Sequence, residues 1–430
     1  SWESISNNIP DRTLVWRFVQ DHINKNLFFL ATEFGIYTSL DAGNNWQKLP
    51  GTPTISFRDI VIQERENDLV GASFGRGFFV LDDYSALREM TMENLSKKGK
   101  LFKPRDAKLF KPRNSLGNTG GQFYVAKNPT YGAVFTYHLK DMPKTSKSIR
   151  VQSERKLNSD KKDIPFPGYE ALSDEMNEKP ASIILTITDS EGNHIRNVKK
   201  NASNGSGRIA WNLRHKSYYP VRAGRAQSNR WWNPSGPYVT PGQYTANLYL
   251  ENNGSVEKLD GPVEFNVKPL RAGTLEGASH DEYNSFRERI SSLYIEMSKY
   301  QDEFNMMENK VQLLEKASMQ LEEFSPELMK KISDFKAKYN AFDSDTNGNN
   351  ARSEIGEWDK VTISTRVQIA MQGLSTSYGP TDLNKSNLEI AEKLFKKLAT
   401  DVKMFKSELE TLENEVKELN PPHLSGTGIN

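Results

Sequence analysis

Residues 343–354 read DSDTNGNNARSE, an order of side chains suited to holding a calcium ion. The stretch satisfies D-x-D-x-N-G-x5-E, the pattern of a calcium loop between two helices. Asp343, Asp345 and Asn347 would give side-chain oxygens, Asn349 its carbonyl and Glu354 a bidentate carboxylate, with Gly348 making the sharp turn. Asn350 stands where an aliphatic residue usually pairs with a second hand, and no second loop of this kind occurs. The competing reading is a polar junction between two helices, with Asp343 or Ser353 as a cap. Ca²⁺ is the one cofactor the sequence suggests, in a structural role.

A second candidate is RHKSYYPVRAGRAQSNRWWNPSGPY, residues 214–238. Arg214, Arg222, Arg225 and Arg230 are interleaved with Tyr218, Tyr219, Trp231, Trp232 and Tyr238. Guanidinium groups beside aromatic planes can stack on sugars or bases and pair with anions. The same composition suits an acidic protein surface, including this chain's own helices, or a loop whose aromatics plug a sheet edge. The local charge is pronounced: residues 192–250 carry nine Lys or Arg and no Asp or Glu, in a chain whose net charge is only +2. Such a cluster states an electrostatic preference and identifies no ligand. Protein partners are expected ahead of polysaccharide, and nucleic acid is disfavoured.

Other chemistries find less material. Cysteine is absent, which removes disulfides, thiolate metal sites and cysteine nucleophiles. The six histidines, at 22, 138, 194, 215, 280 and 423, have no metal-ligand spacing. No apolar run of 18 residues exists, so no membrane span is expected, and no signal peptide opens the chain. The first residues, SWESISNNIP, read as the interior of a folded unit, so further chain upstream of Ser1 is expected.

The elements that must carry these groups fall into three classes. VWRFVQDHINKNLFFLATEFGIYTSLD (15–41) aligns with FRDIVIQERENDLVGASFGRGFFVLDD (57–83) at an offset of 42 positions. Short β-branched and aromatic runs at that period are the mark of β-propeller blades. Within the first copy, SLDAGNNW (39–46) matches S-x-D-x-G-x-x-W. In this setting Ser39, Asp41, Gly43 and Trp46 are read as a turn: Asp41 accepts backbone N–H groups, Gly43 supplies a positive φ, and Trp46 caps the blade core. A catalytic reading would need a nucleophile, an acid and convergent arginines that these residues do not supply, so no catalytic residue is assigned.

These repeats resemble the last blades of sortilin-like, Asp-box (BNR-type) propeller proteins of Bacteroidota. The resemblance is specific over 1–90 and looser over 91–270. It implies an exported protein, at the outer-membrane surface, in the periplasm or secreted. Sortilins follow their propeller with a cysteine-rich module, which this chain lacks, so receptor function does not carry over.

Residues 91–121, with LFKPR twice, read as a linker. Strand-like runs over 122–270 predict an antiparallel sandwich. GSGRIAWNLR and TPGQYTANLYL there resemble the Ig-like domain of flagellar hook-cap proteins, with Trp211 in the core and Pro241, Gly242 and Tyr244 at a strand entry. Residues 141–180 read as a polar surface excursion. From 271 to 420 the period becomes helical: one heptad seam runs from Tyr283 to Leu314 and another from Leu388 to Leu419. Similar length and wide separation suggest that the two pair antiparallel as a coiled-coil hairpin. Shorter helices are expected over 326–342 and 353–374, and residues 421–430 form a tail.

The fold class is therefore multidomain, β plus α: terminal propeller blades, an Ig-like sandwich and an antiparallel helical bundle. The function this suggests is a non-catalytic interaction or scaffold component of a bacterial cell-surface protein or assembly. Two alternatives stand beside it: a sialidase-like glycoside hydrolase whose active residues lie upstream, and a carbohydrate-binding protein.

Overall fold

The computed structural model describes residues 3–112, 126–221 and 236–421. The chain is β plus α and divides into two compact units: residues 1–214 with 241–271, and residues 215–240 with 272–430.

The first unit opens with two antiparallel meanders. Strands β1 (Val15–Gln20), β2 (Phe28–Thr32), β3 (Gly35–Ser39) and β4 (Gln47–Lys48) form one sheet, and β5 (Phe57–Gln63), β6 (Asp68–Ser73) and β7 (Phe78–Leu81) form the next. Alternation decides which side chains meet. Leu27, Phe29, Ala31 and Ile36 of the first sheet pack on Phe57, Ile60 and Leu69 of the second. The layer is so tight that a Cβ on Gly71 would lie 2.9 Å from the Phe57 ring of its own sheet and 3.0 Å from Ile36 of the first sheet. Only glycine allows that spacing.

The ends of these strands are tied by a buried charge. Asp21, between β1 and β2, has a side chain closed to solvent and accepts both Nε and Nη2 of Arg88 at 2.8 Å. It also accepts the Tyr84 hydroxyl at 2.5 Å and the Asn24 amide at 2.6 Å. Arg88 lies in a short 3-10 helix, Ser85–Glu89, after the second sheet, and its Nη2 donates to Asn67 as well. Burial alone would raise the Asp21 carboxyl. The hydrogen bonds from Arg88, Asn24 and Tyr84 outweigh it and hold the group well below the usual carboxylate range. Burial and the Asp21 charge push the Tyr84 phenol upward.

Helix α1 (Met92–Ser96) then leads to β8 (Gly99–Leu101) and β9 (Ala107–Leu109). The expected linker is therefore structured over this part. Gly99, Leu101 and Ala107 are buried, and the prolines fall between the strands rather than in them. Strand β10 (Ala133–Leu139) follows, then two surface helices with no buried residue, α2 (Ser146–Ser159) and α3 (Tyr169–Asn177). Arg150 joins them through a two-pronged contact with Glu175.

Strands β11 (Ser182–Asp189), β12 (His194–Asn201), β13 (Gly205–Trp211), β14 (Gly242–Asn252) and β15 (Ser255–Pro269) complete two more sheets, ordered β13-β10-β8 and β12-β11-β14-β15-β9. The β9–β15 pairing is parallel and the rest antiparallel. The rings of Phe135 and Phe265 meet across the sheets at 5.0 Å, and Trp211 lies 5.3 Å from Tyr244.

The second unit is built on α4 (His280–Ser318), α5 (Pro326–Asn347), α6 (Asn350–Glu354), α7 (Ile363–Gln372) and α8 (Asp382–Glu418). Ser279, Ser325 and Thr381 cap α4, α5 and α8, with Pro326 in the first turn of α5. Most positions of both heptad seams are buried between Phe286 and Leu314 and between Leu388 and Val416, with Tyr283, Met297, Tyr300 and Phe395 half-buried and Leu419 exposed.

Their direction differs from expectation. Arg289 meets Glu392, Glu303 meets Lys406 and Lys310 meets Glu413, each pair 103 positions apart, so α4 and α8 run parallel. Glu282 and Lys385 add a rung at the same separation. A seam defines an apolar stripe and not a direction, which flanking charge pairs set. The return is made by α5 and α7, both antiparallel to the long pair: Lys338 of α5 bonds Glu408, and Arg366 of α7 bonds Asn387. Residues 355–362 are outside helix, so the single helix expected over 353–374 is α7 with an irregular entry.

Replacing Asp21 by Asn leaves Arg88 buried without its counter-charge, and a loss of about 3 kcal/mol in urea unfolding is expected. Because the Asp21 carboxyl is depressed in the folded protein, its contribution is complete above the unfolded value near 3.8 and fades as pH falls below it. The wild type should therefore lose its advantage over Asp21→Asn in unfolding curves taken at progressively lower pH below about 4.

Candidate functional site

Ser39, Asp41, Gly43 and Trp46 form a latch. The Asp41 carboxylate accepts the Asn45 amide at 2.8 Å, its side-chain Nδ2 at 2.7 Å and the Ser39 hydroxyl at 2.8 Å. Burial opposes the charge, but these bonds hold the carboxyl below its ordinary value. Ser39 Oγ accepts the Gly43 amide, and Gly43 has a φ of +90°. Trp46 is buried beside Leu30 and Tyr37. Its Nε1 donates to the Ile5 carbonyl at 2.6 Å, while its backbone exchanges two bonds with the Asn8 side chain. The turn thereby fastens residues 5–8 over the first sheet. Asp189 and Asn193 repeat the same i to i+4 arrangement in the β11–β12 turn, a second use of this carboxylate as a turn former.

The 343–354 segment is arranged as a helix junction. Residues 343–347 are the last turn of α5, and 350–354 are α6. Gly348, at φ +97°, and Asn349 lie between them. Asp343 accepts Asn347 Nδ2, Asp345 is paired with Lys360, and Asn349 Oδ1 caps α6. The Asn349 amide donates to Asp359 at 2.7 Å, and Ser364 donates to Asn347 Oδ1 at 3.3 Å. These oxygens face protein donors and do not converge as one shell with Glu354. Among the described residues no group of three or more His, Asp or Glu gathers as metal ligands. The helical form of this stretch does not fit a calcium loop, and no calcium chemistry is derived from it.

The basic insertion is divided. Arg222, Arg225, Arg230, Trp231 and Trp232 lie outside the described residues. Residues 215–221 and 236–240 belong to the helical unit, although the strands on either side belong to the β unit. The Tyr218 and Tyr219 rings both pack on Tyr294 of α4, at 5.1 and 5.0 Å. Tyr283 of the same helix donates to the Tyr238 carbonyl at 3.1 Å, and burial raises the Tyr219 phenol. Gly236 fits where the two arms close, since a Cβ there would lie 2.2 Å from the Lys216 carbonyl. Arg214 stays with the β unit, and its carbonyl accepts Trp211 Nε1 at 2.9 Å.

A cleft of about 380 Å³ in the β unit was not legible from any motif. Asp82, Arg105, Thr130, Lys199, Lys200 and Arg208 are among its lining residues. Arg208 donates to the Asp82 and Asp83 carbonyls at 2.7 and 2.8 Å, and Lys200 donates to the Arg208 carbonyl. Lys199 pairs with Glu251, and Arg105 with Glu66 and Asp68. Burial, then the Asp68 charge, raises the Asp82 carboxyl. The lysines and arginines lining this cleft thus already have protein acceptors.

No family model and no curated protein matches the chain. Among solved structures, the extracellular domain of a putative one-component system from B. thetaiotaomicron is similar at 13% identity with a TM-score of 0.14. The likeness covers 63% of this chain and 26% of that one, so the chain spans about a quarter of that structure's length. Among the described residues no helix is long and apolar enough to cross a membrane.

Two predictions follow from the geometry. Tyr294→Ala removes the ring on which Tyr218 and Tyr219 close, and about a tenfold faster amide exchange over residues 215–221 is expected by mass spectrometry. In calorimetric titration with Ca²⁺, the helix junction predicts equal heats for wild type and Glu354→Gln. A heat present only in the wild type would mean that the loop form is accessible.

Proposed function

We propose that this chain is a non-catalytic interaction and scaffold part of an exported bacterial cell-surface protein or assembly. In this reading the two N-terminal sheets are neighbouring propeller blades, the paired sheets around Trp211 are an Ig-like module, and the helical unit presents a long rod-like surface. The chain works by holding and displaying surfaces to protein partners.

The observation that carries the reading is the packing of Tyr218 and Tyr219 on Tyr294. An aromatic segment that had three candidate uses is engaged, over its described residues, in packing on a helix of its own chain. Two further features agree with it. The Asp-box groups are occupied in fastening residues 5–8, and the cleft cations are bonded to carbonyls and carboxylates of the chain itself. Ion pairs between exposed side chains contribute little stability each, but rows of them along α4 and α8 set direction and partner choice.

Incubation with fluorogenic sialosides, glucosides and galactosides tests the reading against the enzyme. Release no faster than buffer is expected both for residues 1–430 and for the protein isolated from its source cells, the second arm being the one that tests active residues upstream of Ser1. Turnover that scales with protein concentration would overturn it. In parallel, a Trp231→Ala, Trp232→Ala double variant should sediment with insoluble polysaccharide no less than the wild type does.

A further inference from the structure

The second N-terminal sheet buries one face and exposes the other. Cross-strand register places Val61, Val70 and Val80 in one row, with Asp59, Ala72 and Phe78 in the next. Phe78 is 78% exposed, Val80 55% and Val61 48%. Three β-branched residues in a row, flanked by Phe78 and by an Asp59 whose charge is paired with Arg17 of β1, make a mainly apolar face of the kind that proteins ordinarily cover.

The first sheet indicates what covers it. Its corresponding rows are Val19, Phe29 and Thr38, then Ala31 with Ile36. Val19 maps on Val61 and Ile36 on Phe78 through the 42-residue offset, and the strand pairings align Phe29 with Val70 and Ala31 with Ala72. In the first sheet this face is the one buried against Phe57, Ile60 and Leu69 of its neighbour. The exposed face of the second sheet is thus the same face, one repeat further along, without its neighbour.

We infer that the Val61–Val70–Val80 face is a stacking surface for another sheet of the same repeat class, supplied from outside these 430 residues. The inference rests on reading the two sheets as neighbouring repeats. The contact is head-to-tail, since each sheet offers one face and receives a different one. A second copy of this chain does not fit. Its receiving face, Phe57, Ile60 and Leu69, is already buried by its own first sheet. The other face of that first sheet is covered over Leu30 and Tyr37 by Trp46 and Ile9, with Phe18 left 45% exposed in the same row. A symmetric dimer would need a self-complementary patch, which a directional stack lacks.

The test places p-benzoyl-phenylalanine at position 78 of the protein expressed in its source cells, irradiates them, and sequences the adduct. The expected adduct is a peptide from a β-repeat of about 42 residues with a Gly-aromatic hairpin like Gly35–Tyr37 or Gly77–Phe79, outside residues 1–430. A Val80→Lys change in the same chain should lower its yield at least about tenfold by placing a charge in the contact. An adduct with a second copy of residues 1–430, an adduct with a chain lacking such a repeat, or no adduct would each overturn the inference. Glycoside turnover would refute the scaffold reading without changing the adduct, so the two failures are distinguishable.

Discussion

The buried contact between Asp21 and Arg88 is the constraint on which the N-terminal half depends. A carboxylate closed to water is tolerated only when its oxygens are filled by donors. Here those donors come from distant parts of the chain: Asn24 from the first repeat, Tyr84 and Arg88 from the segment after the second. Because Arg88 also holds Asn67, the loop between β5 and β6 is fixed by the same group. Two small sheets with one shared apolar layer would otherwise be free to slide, since dispersion and burial are not directional. A bidentate guanidinium–carboxylate pair is directional, and it sets one alignment.

From that point the β unit is extended by contacts to backbone carbonyls. Arg208 of β13 reaches the Asp82 and Asp83 carbonyls where the second sheet ends, and Arg105 bonds the Glu66 carbonyl and carboxylate. Arg208 is part of the cationic excess of residues 192–250 that suggests an anionic ligand, and Arg105 adds a further positive charge beside the same cleft. Their bonds give them a structural occupation instead, and they join the meanders to the sheets around Trp211.

The helical unit solves a length problem. Parallel helices of 39 and 37 residues need a return path of similar span, roughly 55 Å. With 22 and 10 residues, α5 and α7 together span roughly 48 Å and fill one groove from its two ends. This explains why residues 343–347 are helical: they complete the stretch of α5 that carries Phe342 onto Phe405, at a ring distance of 5.5 Å. The acidic and amide residues that match a calcium loop are those left at the seam between α5 and α7, where capping and ion pairing occupy them.

The sequence by itself determined what is periodic and local. The 42-residue repeat shows as self-similarity, and the Asp41 turn, the heptad stripes from Tyr283 and Leu388 and the helix beginning at residue 326 are legible from neighbours within a few positions. Only the tertiary structure decided direction, company and occupation. It made α4 and α8 parallel, placed Tyr218 and Tyr219 with the helices, turned part of the apparent linker into strands β8 and β9, and brought Asp21 to Arg88 across 67 positions. The physical reason is the same each time. A pattern of side chains fixes which face is apolar and which group is charged, but the free energy of that face or charge depends on what covers it, and the covering element lies far along the chain.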